Sequence, residues 1–148
     1  MSLANAFATI QATVEALTPP DQVSVTYFHV DESRREDIGS PAFDRAFWFD
    51  DATRLEVLST GINARVEYAV SMMVYLSGGG STVLQSVTRP AAEIATITRA
   101  LETLTTLPPG VTLITVDESE TDTETEEEID LNGSLITINL RIHTVEGP

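Results

Sequence analysis

"ARVEYAVSMMVYL", residues 64–76, decides the fold class. Val66, Tyr68, Val70, Met72, Val74 and Leu76 alternate with Arg65, Glu67, Ala69, Ser71, Met73 and Tyr75, a period of two kept for thirteen residues. Only an extended strand sends every second side chain to one face. At the usual rise it reaches roughly 43 Å, against a typical strand of about five or six residues. A strand this long, expected to be the longest of the chain, either projects beyond the domain body or bends at a bulge.

Toward the N-terminus, Leu55, Val57 and the turn "STGIN" read as a hairpin leading into that strand. "AFDRAFWFD", residues 42–50, is dense in aromatics and reads as a short strand of its own, preceded by the polar loop "DESRREDIGSP". "QVSVTYFHV", Gln22 to Val30, is β-branched and aromatic and reads as another strand. Leu3, Phe7, Ile10, Val14 and Leu17 fall on one stripe of a helix, with Ser2 as its N-cap and Pro19-Pro20 as its stop.

Toward the C-terminus, "SGGGS" breaks the chain and Pro90 opens a second helix at its first turn. Ile94, Ile97, Leu101, Leu104 and Leu107 form its apolar stripe, and Pro108-Pro109-Gly110 ends it. Val111–Val116 reads as a strand. After an acidic stretch, Asn132-Gly133 turns the chain into a last strand, with Ile136, Ile138, Leu140 and Ile142 on one face and Thr137, Asn139, Arg141 and His143 on the other. The expected order is α-β-β-β-β-α-β-β. It makes one α+β domain over residues 1–148, an antiparallel or mixed sheet of about five to six strands with two helices packed on one face.

The charge excludes one function class and leaves others open. With 23 acidic and 8 basic residues the net charge is −15, which opposes binding to nucleic acid by neutralising phosphates. An acidic chain can instead mimic DNA, stay soluble at high local concentration, or line a passage through which a polyanion slides. The N-terminus lacks the basic region of a signal peptide, so a cytoplasmic chain is expected. Residues 69–88 are uncharged but broken by three consecutive glycines, so no membrane-spanning segment is expected.

Catalytic signatures are missing. There is no cysteine, no H-E-x-x-H and no G-x-S-x-G, and "GGGST" lacks the lysine of a phosphate loop. His29 and His143 read as strand residues. The expectation is a protein that is not an enzyme, with no catalytic residues, no cofactor and no metal.

Three features remain as candidate contacts. Arg34 and Arg35, flanked by Asp31, Glu32, Glu36 and Asp37, form either a solvated loop or a salt-bridging loop between subunits. Trp48 must point opposite to Phe47 and Phe49, leaving an apolar surface that a helix or another subunit has to cover. "DESETDTETEEEID", residues 117–130, packs nine carboxylates into fourteen residues: Asp117, Glu118, Glu120, Asp122, Glu124, Glu126, Glu127, Glu128 and Asp130. It fails as a calcium-binding EF-hand, since Asp122 stands where the sixth-position glycine belongs. Mutual repulsion favours a solvated loop, while the alternation of Thr with Asp and Glu also suits the arms of a hairpin.

The arrangement resembles the tail terminator, or tail completion, proteins of long-tailed bacteriophages and of gene-transfer-agent-like particles. The likeness lies in "SLANAFATIQATVEAL", "QVSVTYFHV", "ARVEYAVSMMVYLSGG", "PAAEIATITRALETL" and "GSLITINLRIHTVE", in that order. It implies a subunit of a homo-oligomeric ring, usually a hexamer, that caps the tail tube, stops its polymerisation and joins the tail to the head connector or stopper. The partners implied are other copies of the chain, the tail-tube protein and the connector, with no specific nucleic acid and no membrane. The place implied is the neck of the virion, after assembly in the host cytoplasm. Under this reading Arg34, Arg35, Trp48 and the acidic residues 117–128 are candidate subunit or lumen contacts. Another neck or tail-tube component and an acidic DNA-mimic inhibitor remain as alternatives.

Overall fold

A computed structural model describes residues 2–20, 27–30, 45–60, 63–77, 83–122 and 133–146. The elements are α1 (Ser2–Glu15), β1 (Phe28–His29), β2 (Arg45–Thr60), β3 (Asn63–Ser77), α2 (Val83–Glu102), β4 (Val111–Asp122) and β5 (Gly133–Glu146). The five strands form one sheet in the order β1-β2-β3-β5-β4. β1 runs parallel to β2 and every other pairing is antiparallel. The expected mixed sheet with two helices is therefore the observed architecture.

β3 lies within one residue of its expected span and carries no bulge of its own. β2 flanks it on one side and β5 on the other over nearly its whole length, from Ala64 opposite Glu146 to Ser77 opposite Gly133. β2 is also one residue longer than β3, with 16 residues against 15. What reads in sequence as a short aromatic strand plus a hairpin arm is this single strand. Its register with β3 shifts twice, between Phe49 and Asp51 and between Arg54 and Glu56. Each bulge adds a residue and flips the alternation. Phe47 and Phe49 therefore face the helices, then Ala52 and Arg54 take the same row as Val70 and Tyr68, and Val57 returns opposite Val66. A period-two reading breaks at each flip, which is why one strand looked like two.

Only Phe28 and His29 of the expected Gln22–Val30 strand are paired among the described residues; residues 21–26 lie outside them. α2 begins seven residues before Pro90, which stands inside the helix. Proline is common at a first helical turn, so the sequence suggested a start, but packing holds the helix across it even though Pro90 cannot donate to Ser86. α2 also stops at Glu102, so Leu104 and Leu107 pack on the core from the connection that follows.

The expected last strand is β5. Ile136, Ile138, Leu140 and Ile142 are all buried, each contributing about 1.5–3 kcal/mol by the area it removes from water. They pack with Val70, Met72 and Val74 of β3, Ala6, Ile10 and Val14 of α1, and Ile97 and Leu101 of α2. Ser2, expected as an N-cap, is the first helical residue of α1, and its hydroxyl turns toward the Val145 carbonyl at the end of β5. Gly110 brings the chain into β4 at φ +83° and accepts a hydrogen bond from Val145 N at 2.8 Å. A Cβ there would meet the Ser2 side chain, with Ser2 Cβ 2.9 Å away. Gly110→Ala therefore adds steric conflict to left-handed strain and is expected to cost about 1–3 kcal/mol, read from the urea midpoint; an unchanged midpoint would show that the turn relaxes freely.

Candidate functional site

The two faces of the sheet differ chemically. Among the described residues the face under the helices is apolar apart from a buried ion pair and Thr144, whose hydroxyl donates to the Val66 carbonyl. Arg45, at the start of β2, is fully buried and donates Nε–H to Glu93 Oε1 at 2.8 Å. Glu93 is 1% exposed and its other oxygen accepts a hydrogen bond from the Tyr27 hydroxyl. The cluster ties α2 to β2 and to the segment entering β1. The sequence holds a signal for it: Glu93 lies four residues before Ile97, so it shares that residue's inward stripe, and a carboxylate there must find a donor. The donor itself was not readable.

The opposite face is polar and open along β3, β5 and β4. Arg141 bridges two carboxylates, NH1 to Glu67 at 2.9 Å and NH2 to Asp117 at 2.7 Å. His143 Nε2 approaches the same Glu67 oxygen at 3.8 Å, and Ser71 donates to Asn139 at 3.0 Å. The hydrogen bonds that Arg141 donates to Glu67 and then to Asp117 raise its pKa above its ordinary value. A group raised in this way loses its contribution only when pH climbs past the folded-state value, so the bridge brings no pH dependence near neutrality.

At one end of this face a second apolar cluster forms from Val30, Ala46, Trp48, Tyr75 and Leu135. Trp48 does point opposite to Phe47 and Phe49, as the alternation requires. It is nevertheless 8% exposed, so its apolar surface is covered within the chain and not left for another subunit. Its indole Nε1 has no hydrogen-bond partner.

The acidic stretch is divided. Asp117 to Asp122 belong to β4, paired with β5 through Asp122 opposite Leu135 after a register shift between Val116 and Ser119. The expected end of this strand at Val116 thus falls six residues short, because a bulge again interrupts the alternation. Of the acidic contact candidates, Asp117 is the one whose side chain is described, against Arg141. Glu118, Glu120 and Asp122 ride on the β4 backbone, and Arg34, Arg35, Glu124, Glu126, Glu127 and Glu128 lie outside the described residues.

Among the described residues no three His, Cys, Asp or Glu side chains are grouped to hold a metal, and no described helix is long and apolar enough to cross a membrane. His29 lies edge-on to Phe47, ring centres 5.2 Å apart. Among the described residues the geometry provides a sheet face on which Arg141 offsets Glu67 and Asp117.

These features define a class: an α+β fold with one five-stranded mixed sheet and two helices. No family model matches the sequence, and no curated protein matches it. A chain in the solved structure "Virion of native gene transfer agent (GTA) particle" is similar over 98% of both chains, with a TM-score of 0.65 at 12% identity. The likeness shows a shared fold.

Proposed function

We propose that this chain is a structural subunit of a tailed, virion-like particle, and within it the terminator: a ring that caps the tail tube, stops its growth and presents a docking face to the head connector. The observation that carries this reading is the fold likeness across 98% of both chains to a chain of a gene transfer agent virion. A likeness over nearly all of both chains compares whole folds and not a shared motif. The open edges of the sheet support the reading, because a ring needs two different surfaces per subunit. The role is one of binding and geometry, without turnover. A net charge of −15 suits a wall past which DNA moves.

The test is to mix the purified chain with tail tubes of its own particle during tube assembly and image them. Terminator function predicts tubes of limited length with an added ring at one end. Long tubes built from this chain alone would make it a tube subunit, and tubes that grow unchecked with bare ends would end the capping idea.

A further inference from the structure

The two edges of the sheet differ in a way that suggests how one copy meets the next. Among the described residues β1 pairs with β2 only at Ala46 and Phe47, so the rest of β2 forms one edge and β4 forms the other. Among the described residues four large apolar side chains are exposed, Phe28, Leu55, Val57 and Leu113. Two of them stand in neighbouring rows of the sheet: Glu56, Glu67, His143 and Leu113 form one row, and Val57, Val66, Thr144 and Val111 the next, with Leu55 in the β2 bulge beside Glu56. Leu55, at 46% exposed, and Val57, at 44%, therefore sit on the β2 edge at the same level at which Leu113, at 47%, sits on the β4 edge.

Beside Leu113 the sheet carries a depression of about 440 Å³ lined by Arg65, Thr112, Leu113, His143 and Val145. One edge thus presents an apolar knob and the other an apolar-lined hollow. The charges favour the same location. Two copies at −15 each repel over most of their surface, so contact is least opposed where carboxylates are few or already paired. The hollow contains one carboxylate, Glu67, which Arg141 already holds at 2.9 Å. Arg65 is an exposed cation there, and on the opposite edge Glu56 stands between Leu55 and Val57 on the β2 backbone, next to the exposed Arg54. Bulges limit the open edge: β2 shifts register at Leu55 and β4 on either side of the Leu113–Val116 segment. Glu102 also takes the Val116 amide at 3.4 Å. Such breaks stop strands from sliding or adding without limit.

We infer that a second copy of this chain docks here, its Leu55–Val57 knob seated in the hollow beside Leu113. The inference rests on the ring reading above and names the surfaces that build the ring. Knob and hollow are different patches, so the contact is head-to-tail and propagates until rotation closes it.

The experiment compares native mass across concentration for the full chain, for Leu113→Asp, and for the pair Leu55→Asp with Val57→Asp. These side chains are about half exposed, and circular dichroism verifies that each variant is folded. The unaltered chain is expected to form species larger than a dimer, and each variant alone to remain a single chain. A mixture of the two variants is expected to give one-to-one dimers that grow no further, since one intact knob meets one intact hollow. Variants that assemble as the unaltered chain does would overturn the knob-and-hollow contact while leaving the ring intact. An unaltered chain that stays monomeric up to its solubility limit, and adds no ring to tube ends, would overturn the ring reading as well.

Discussion

Replacing Glu93 with leucine is expected to destabilise the fold by about 3–5 kcal/mol, the usual cost of removing one partner from a buried ion pair. Arg45 is fully buried and Glu93 1% exposed, so solvent cannot take over the role of the missing carboxylate. The Tyr27 hydroxyl loses an acceptor in the same step. Against a total stability of about 5–15 kcal/mol for an ordinary domain, this is a large fraction. Glu93→Gln keeps an acceptor but removes the charge and should fall between the native protein and the leucine variant. The double replacement Arg45→Met with Glu93→Leu should recover much of the loss, because a buried ion pair exchanged for apolar side chains is often neutral or better. Urea unfolding of these proteins together with Arg45→Met alone closes the double-mutant cycle and gives the coupling energy. A Glu93→Leu midpoint equal to that of the native chain would mean that the cluster is not buried as described.

Trp48 gives the second large effect. Truncation to alanine is expected to cost about 3–5 kcal/mol, because the indole fills the cluster of Val30, Ala46, Tyr75 and Leu135. Trp48→Phe should stay within about 1.5 kcal/mol of native. It gives up ring volume, but it also removes a buried N–H that has no partner, a group whose burial costs about 1–3 kcal/mol. Both variants remain competent to assemble if they fold, since Trp48 contributes no surface. The outcome is read by circular dichroism during urea unfolding together with native mass. A stable Trp48→Ala chain that no longer assembles would restore the residue to the subunit interface.

The two residues illustrate different limits of a sequence reading. The direction of Trp48 was legible, since three successive aromatics on a strand cannot share a face. What covers it was not, because burial depends on Val30, Tyr75 and Leu135, which are brought together only by the sheet. For Glu93, the need for a donor was legible from its place on the α2 stripe. Arg45 could not be named, because the partners are 48 residues apart and meet only after β2 and α2 pack. The acidic stretch shows a third limit. Mutual repulsion among nine carboxylates argued for a loop, yet six residues of it belong to β4 and four of these, Ser119 to Asp122, pair with β5, while Arg141 offsets Asp117.

Local patterning was enough to set α1, β3 and β5, the inward face of each, the hairpin between β2 and β3, and the α+β class. Each of these rests on the spacing of side chains along a few turns or pleats, which neighbouring residues control. Tertiary structure decided the rest: the continuity of β2 through its two bulges, the passage of α2 across Pro90, the partner of Glu93, the cover over Trp48, and which strands became edges. A bulge is defined only against the strand beside it, an ion pair only by the approach of two distant elements, and an edge only by where the sheet ends. None of these quantities exists until the chain has folded.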